Sequence, residues 1–304
     1  GDFRRAAAAR HRVRPDEILP GNGAAELVHL AARALRDRPA LILSPSFSEY
    51  ATACSVEGVP VSFIRARSSG GFSLDSSSIL SRVARRRRCA VWAANPNNPT
   101  GRLLRSVWLE KLVRVCLARE HVLILDEAFL DFSRGGEGRS WATRAPRRGL
   151  LVLRSLTKSF AVPGLRVGYA VGPKALLDTL RRFQPPWSVN ALAQAAGVSL
   201  FRQSAFLRRS RERVAGLRSE LSGALGGLGF TPYPSDANFL LCRVPESGPA
   251  ASWWKTEALA RGILLRSCED FPGLEDGRHV RLAVRTAPEN KSLIAAFGEI
   301  ARGR

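Results

Sequence analysis

Short apolar runs alternate with helical patterns along the chain between residues 24 and 200. The runs have the length and the Val, Ile and Leu content of buried strands, and the segments between them repeat apolar residues at the spacing of a helix face. The predicted strands are ALILS, VPVSFIRA, CAVWAAN, HVLILDEA, GLLVLRS and LRVGYAVG. Strands that alternate with helices are typical of a parallel sheet. The pattern therefore predicts an α/β fold, with a mostly parallel sheet and helices on both of its faces.

The pattern changes after the proline-rich segment QPPWS. An Arg-rich helical stretch, predicted from residue 195 to residue 225, is followed by short strand-like runs and a C-terminal helix. A mixture of this kind is typical of an α+β unit. We therefore predict a large α/β domain over residues 1–195 and a smaller C-terminal α+β domain over residues 196–304.

Polar residues follow several of the predicted strands and turns. In an open parallel sheet, ligands bind beyond the carboxyl ends of the strands, so these residues should share one cleft. They are Asn22 and Gly23, Asn95–Gly101, Asp126 and Glu127, and Ser155–Lys158. The sequence therefore predicts a ligand site at this edge of the sheet.

Lys158 stands out because the chain has 42 arginines and only five lysines. A lysine amine can lose its proton and bond to an aldehyde as a Schiff base, which a guanidinium does not do. A neighbouring positive charge such as Arg166 would favour the unprotonated amine. For Lys158 taken alone, an ordinary loop lysine is the alternative.

Three further segments suit a cofactor with a ring and a phosphate. Asp126 ends the run HVLIL, where a carboxylate can pair with a protonated ring nitrogen, although a helix cap or turn also uses such a residue. GNGAAELVHLAARAL is a turn that opens into a helix, which suits a phosphate, with an ordinary capped helix as the alternative. NPNNPTG predicts a stiff turn that aims an Asn amide into the cleft, or serves as turn chemistry alone.

The composition of the chain limits the classes of partner that we expect it to bind. The net charge of +21 suits a polyanion, but apart from Arg85–Arg88 the basic residues are scattered, so we expect no nucleic acid. The five cysteines form no CxxC pair, which favours reduced thiols in the cytoplasm. No metal-binding motif occurs, and no apolar run reaches the roughly 18 residues of a membrane span. We therefore expect no metal and no membrane partner.

The combination NPNNPTG, DEAF and SLTKSFAVPGLRVGY resembles the fold-type-I pyridoxal-phosphate enzymes of the class I/II aminotransferase group. The resemblance extends from residue 10 to the end of the chain. It implies pyridoxal 5'-phosphate as cofactor, a small phosphorylated amino acid or amine as substrate, and a homodimer. It also implies that an N-terminal arm of about 60 or 70 residues, found in the family, is missing before residue 1.

The resemblance assigns a role to each candidate residue. Lys158 is the lysine that bonds to the cofactor and later carries a proton, and Asp126 is the partner of the ring nitrogen. Asn98 donates to the ring oxygen, and Tyr50 stacks on the ring. The implied phosphate ligands are Ser155, Thr157, Arg166 and the backbone of Gly23, Ala24 and Ala25. The implied substrate ligands are Arg281 for the carboxylate, Arg266 for the phosphate, and Arg285.

Two branches of the group compete, and Phe129 and Arg285 distinguish them. The histidinol-phosphate aminotransferase branch has a tyrosine where this chain has Phe129, and a glycine where it has Arg285. The threonine-phosphate decarboxylase branch carries an arginine at the second position, and PPWSVNALAQAA and SCEDFPGL also resemble it. Because alternate strand residues share a face, we expect Arg281 and Arg285 to lie side by side.

The expected reaction is decarboxylation of L-threonine O-3-phosphate to (R)-1-aminopropan-2-yl phosphate, a step of cobalamin biosynthesis. The alternative is amino transfer from histidinol phosphate or by another member of the group. A minor alternative is a non-catalytic polyanion-binding protein on a decayed enzyme fold.

Overall fold

The computed structural model describes residues 1–303, without the side chains of residues 147 and 148. Within this range a seven-stranded sheet has the order β1-β7-β6-β5-β4-β2-β3. Its strands are β1 Ile18–Asn22, β2 Ala40–Ser44, β3 Val61–Arg65, β4 Ala90–Ala94, β5 Val122–Asp126, β6 Leu151–Ser155 and β7 Val167–Val171. The strands from β6 to β3 are parallel, and β7 is antiparallel to both of its neighbours. The prediction of a mostly parallel sheet is confirmed.

Helices cover both faces of this sheet. They are α1 Asp2–His11, α2 Gly23–Ala34, α3 Glu49–Val56, α4 Ser77–Ala84, α5 Ser106–Ala118, α6 Ala145–Arg148, α7 Leu156–Ser159, α8 Lys174–Phe183 and α9 Ala191–Leu200. Along β4, Val91 packs in the apolar cluster that contains α5, whereas Trp92 packs with α2 and α8. Successive strand residues therefore enter separate cores, which explains why the strand sequences are apolar throughout. No helix of residues 1–303 combines the length and the apolar character needed to cross a bilayer.

A second, antiparallel sheet follows in the C-terminal part of the chain. Its order is β10-β11-β9-β8, with β8 Thr231–Pro232, β9 Phe239–Arg243, β10 Arg266–Ser267 and β11 His279–Ala283. The helices of this part are α10 Ser204–Gly227, α11 Ala251–Leu259 and α12 Ala287–Arg302. A third apolar core, centred on Trp254 and Phe297, joins them to the sheet. The smaller α+β unit is therefore present.

The predicted division between residues 195 and 196 lies inside α9, which packs against α1. Gly197 permits this packing, because a Cβ atom there would lie 2.2 Å from the ring of Phe3. The helical stretch predicted over residues 195–225 is two helices, α9 and α10. Strand β1 was not predicted, because it contains a proline and a glycine. Such a strand is tolerated at the edge of a sheet, which is where β1 lies.

The register of the parallel strands brings their carboxyl ends together. Ala94 at the end of β4 pairs with Asp126 at the end of β5, and Asp126 pairs with Leu153 of β6. The backbone N–H of Asn95 donates to the carbonyl of Asp126 at 2.7 Å. The loops that follow β4, β5 and β6 therefore start at one edge of the sheet.

Candidate active site

A cavity of about 210 Å³ lies at this edge. Most of the residues predicted from the sequence line it. They are Gly23, Ala24, Ala25, Asn98, Asp126, Ser155, Thr157, Lys158, Arg166 and Arg281. Tyr50, Arg266 and Arg285 do not line it. The structure therefore places ten candidates in the cavity wall and three outside it.

Asp126 is buried and lines the cavity. Its Oδ2 accepts a hydrogen bond from the hydroxyl of Tyr50 at 2.6 Å, and its Oδ1 accepts one from the N–H of Ala128 at 2.9 Å. Burial raises the pKa of Asp126, whereas these two donors oppose that shift. A protonated ring nitrogen placed in the cavity would be a further donor to this carboxylate.

Tyr50 does not have the predicted stacking position. Its side chain is only 1% exposed, its ring stacks on Trp92 with centroids 5.3 Å apart, and its hydroxyl is bonded to Asp126. Phe47 lines the cavity instead. The physical reason is that α3 begins at Glu49, which turns Tyr50 into the core and leaves Phe47 in the preceding loop. The segment PSFSEY contains two aromatic residues, and this was the sequence signal from which Phe47 could have been considered as the residue at the ring.

Lys158 lies in the short helix α7, directly after β6, and is exposed at the cavity. Burial of its amine lowers the pKa of Lys158, and the guanidinium groups of Arg166 and Arg281 lower it further. The carboxylate of Asp126 opposes the shift. These shifts make the unprotonated, nucleophilic amine more accessible than in an ordinary lysine.

Several residues of the cavity wall are donors that suit a phosphate. Gly23 begins α2 with a φ of +73°, and a Cβ atom there would lie 2.9 Å from Nη2 of Arg166. The positive φ favours glycine at this position, and the absence of a side chain leaves room for the guanidinium of Arg166 beside the helix N-terminus. The hydroxyl of Thr157 donates to the carbonyl of Val167 at 3.1 Å, which closes the loop between β6 and β7. Helix amides, hydroxyls and a guanidinium form a phosphate-binding donor set.

The turn NPNNPTG is held rigidly. The side-chain amide of Asn97 donates to the carbonyl of Pro45 at 2.8 Å and to the hydroxyl of Thr100 at 3.0 Å. Asn98 accepts a hydrogen bond at its Oδ1 from Nη1 of Arg281 at 2.5 Å. Because a guanidinium only donates, this bond identifies the oxygen of Asn98 and leaves its NH₂ group as the donor.

Arg266 lies beside the cavity rather than in its wall. It pairs in register with Arg281 across β10 and β11, and its guanidinium contacts Asp270 at 2.5 Å. The cross-strand pairing places Arg266 next to Arg281 on the small sheet.

Arg285 does not share a strand face with Arg281, because β11 ends at Ala283. Its Nη2 is instead 2.5 Å from a carboxylate oxygen of Glu289 in α12. It borders an adjoining cavity of about 330 Å³ that also contacts Lys158. The strand alternation that predicted a side-by-side pair of arginines therefore does not extend to Arg285.

The chain belongs to the aminotransferase class I and II family, whose model matches residues 1–297. It is similar to threonine-phosphate decarboxylase of Salmonella typhimurium, with 36% identity over 300 residues, 98% of this chain and 80% of that protein. It is also similar to histidinol-phosphate aminotransferase 3 of Mesorhizobium japonicum, with 32% identity over 312 residues, 99% of this chain and 78% of that protein. The crystal structure of histidinol-phosphate aminotransferase from Clostridium acetobutylicum has a TM-score of 0.89 at 26% identity, covering 100% of this chain and 89% of that one.

The family is dependent on pyridoxal phosphate, and the cavity fits this cofactor. Lys158 is available for the aldehyde and Asp126 for the ring nitrogen, and Phe47 provides an aromatic wall. The cradle at Gly23, which a Cβ atom would fill, fits the phosphate. When bound, the cofactor supplies an electron sink for charge that develops at the substrate's α carbon.

Proposed function

We propose that the protein decarboxylates L-threonine O-3-phosphate to (R)-1-aminopropan-2-yl phosphate, a step of cobalamin biosynthesis. The similarity to the Salmonella threonine-phosphate decarboxylase supports this reaction. The bond between the α carbon and the carboxylate breaks, carbon dioxide leaves, and a proton takes the vacated position. Lys158 is the residue that we assign to this proton transfer, because its amine faces the cavity and its pKa is lowered.

Phe129 carries the proposal. Its side chain lines the cavity, and its ring packs edge-on against Phe239 with centroids 5.0 Å apart. The histidinol-phosphate branch has a tyrosine at this position, so that branch has a hydroxyl where this chain has none. The NH₂ group of Asn98 then remains as the donor assigned to the ring oxygen.

The arrangement of the arginines supports the choice of bond. Which bond to the α carbon breaks depends on how the enzyme orients the substrate's carboxylate. Arg281 is fixed by Asn98 at the cavity, and Arg266 is its neighbour across the small sheet. We assign the substrate carboxylate to Arg281 and the substrate phosphate to Arg266, so that two adjacent guanidinium groups hold the two anionic ends.

The second candidate function is amino transfer from histidinol phosphate. It is favoured by the Mesorhizobium relative and by the close fit to the Clostridium structure. In that reaction the bond from the α carbon to hydrogen breaks, and the amino group ends on 2-oxoglutarate. The two functions therefore differ in both substrate and product.

A side-by-side assay separates them. The chain is loaded with pyridoxal phosphate and given carboxyl-labelled L-threonine O-3-phosphate, or histidinol phosphate with 2-oxoglutarate. We expect labelled carbon dioxide from the first substrate and no glutamate from the second. Glutamate without carbon dioxide would make the second candidate correct. The variant Phe129→Tyr adds the hydroxyl that the histidinol-phosphate branch has at this position. We expect it to lower the rate of decarboxylation.

We also propose that the protein acts in the cytoplasm as a homodimer. An apolar surface supports self-association, because Trp187 is 95% exposed and Leu192 is also exposed nearby in the sequence. Light scattering of the purified chain tests the dimer, and a monomer at all micromolar concentrations would contradict it. Trp187→Ser should weaken the association.

A further inference from the structure

A buried guanidinium belongs to the residue that precedes Ser155 of the cavity wall. Arg154 is the residue of β6 that precedes Ser155, and it is only 3% exposed. Three carboxylates accept hydrogen bonds from it: Glu127 at 3.3 Å, Asp131 at 2.9 Å and Glu137 at 2.6 Å. The cavity lining contains none of these four residues, so direct binding of cofactor does not explain the cluster.

One arm of this cluster reaches the Lys158 helix. Asp131 accepts a second hydrogen bond, from the hydroxyl of Ser159, which is the residue after Lys158 and the last residue of α7. The same hydroxyl lies 3.2 Å from the carbonyl of Ser155, at the start of that helix. Asp131 and Ser159 are both buried. A continuous buried path therefore runs from Arg154 through Asp131 to the helix that carries Lys158.

A second arm reaches the strand that carries Asp126. Glu127 follows Asp126 directly, and its carboxylate is held by the N–H of Trp141 at 2.8 Å, the hydroxyl of Ser140 at 2.5 Å and Arg154. All three groups donate to Glu127. Because these partners leave its carboxylate with a single orientation, Glu127 anchors the backbone at the end of β5.

The chemistry of the cluster favours arginine over other residues. A guanidinium does not lose its proton in a protein, and its planar fork can meet several carboxylates at once, which an ammonium group does less well. Burial alone would raise the pKa of Glu137, but Arg154 and His11 hold it well below its ordinary value. Since buried ion pairs are weak contributors to net stability, a role in fixing geometry accounts better for this cluster.

We propose that Arg154 is a positioning residue that fixes Lys158 and Asp126 relative to each other, through Asp131 and Ser159 on one side and Glu127 on the other. This inference rests on the proposed function only in that Lys158 bonds to the cofactor. Arg154 touches neither cofactor nor substrate in this assignment. Its effect is to hold the amine of Lys158 beside the positive groups Arg166 and Arg281 and the negative group Asp126.

The variant Ser159→Ala tests the link with the smallest change. It removes one hydroxyl and leaves the ion pairs of Arg154 in place. We expect the amine to move away from Arg166 and Arg281, so that its pKa rises towards the ordinary lysine value. The unprotonated fraction at any pH below this pKa would then fall, and the midpoint of the trapping profile would move to higher pH. The readout is the pH dependence of borohydride trapping of pyridoxal phosphate on Lys158.

The matched control is Ser133→Ala. Ser133 is also buried, and its hydroxyl donates at 2.7 Å to the backbone of Leu130, in the same turn as Asp131 but without touching the carboxylate. We expect its trapping profile to match the wild type. An unchanged profile in Ser159→Ala, or an equal shift in both variants, would overturn the proposal.

A second measurement needs no cofactor. Hydrogen exchange of the backbone amides of residues 156–160 should be faster in Ser159→Ala and in Arg154→Lys than in the wild type and in Ser133→Ala. If the wild type traps no cofactor, the assignment of Lys158 fails, and this exchange result still decides whether the cluster holds the helix. Wild-type protection in both test variants would contradict the proposal.

Discussion

Arg281 donates a hydrogen bond to the side-chain oxygen of Asn98 at 2.5 Å, across 183 positions of sequence. The bond joins β11 of the small sheet to the loop that follows β4 of the large sheet. A second contact lies beside it, where the N–H of Asp236 donates to the carbonyl of Gly101 at 2.7 Å. Residues of both sheets therefore line the cavity, and Arg281 both orients the amide of Asn98 and lowers the pKa of Lys158.

We predict that Lys158→Arg abolishes the covalent attachment of pyridoxal phosphate. The substitution keeps the positive charge, but a guanidinium does not bond to the aldehyde. Borohydride reduction followed by mass spectrometry of the peptide that contains residue 158 measures the adduct. Lys174→Arg, an exposed lysine at the start of α8, is the matched control and should trap normally. A full yield of adduct in Lys158→Arg would contradict the assignment.

Asp126→Asn should bind the cofactor but turn over substrate more slowly by orders of magnitude, because an amide does not stabilise a protonated ring nitrogen. The structure adds a second variant. Tyr50→Phe removes a hydrogen bond that opposes the rise in the pKa of Asp126, so this pKa should rise further. A carboxylate with a raised pKa becomes protonated at a higher pH and then no longer stabilises the protonated ring nitrogen. As the pH is lowered, Tyr50→Phe should therefore lose activity at a higher pH than the wild type. An unchanged acidic limb of the pH–rate profile would contradict this role of Tyr50.

Arg281→Gln should shift the titration of Lys158 to higher pH. Arg281 lowers the pKa of this amine, so its removal raises the pKa and reduces the unprotonated fraction at neutral pH. The pH dependence of cofactor trapping measures the shift. Arg261→Gln, in the turn after α11 and outside the cavity lining, is the control and should leave the profile unchanged. Equal profiles for the wild type and Arg281→Gln would contradict the electrostatic coupling.

Arg285→Gly should change decarboxylation by no more than about twofold, since exposed ion pairs contribute little and Arg285 is paired with Glu289 outside the cavity. This expectation replaces the role inferred from its spacing to Arg281. Steady-state rates with L-threonine O-3-phosphate measure it. A loss of turnover with unchanged cofactor content would return Arg285 to the substrate site through the adjoining cavity.

The sequence was informative where local geometry decides position. Asp126 and Lys158 line one cavity because parallel strands end at the same edge of the sheet, and their apolar runs identified those strands. It was less informative where an element boundary decides direction. The start of α3 at Glu49 separates Tyr50 from Phe47, and the end of β11 at Ala283 separates Arg285 from Arg281.

The pattern of apolar and polar residues along the sequence did not predict contacts between distant segments. Nothing in the local sequence indicates that Arg154 is buried among carboxylates, since arginines elsewhere in this chain are mostly exposed. The cluster depends on the turn at Leu130–Phe132, which brings Asp131 beneath the Lys158 helix. The same holds for Arg281 and Asn98, whose bond joins the two sheets.

The central claim is that the bond to the carboxylate breaks while the α hydrogen stays. Turnover of L-threonine O-3-phosphate in deuterium oxide tests it directly, because decarboxylation places one solvent deuterium on the carbon that lost carbon dioxide. We predict a product whose α carbon keeps its original hydrogen and gains one deuterium, as read by proton NMR and mass spectrometry. Exchange of the α hydrogen for deuterium without loss of carbon dioxide, together with amino transfer to 2-oxoglutarate, would contradict the account.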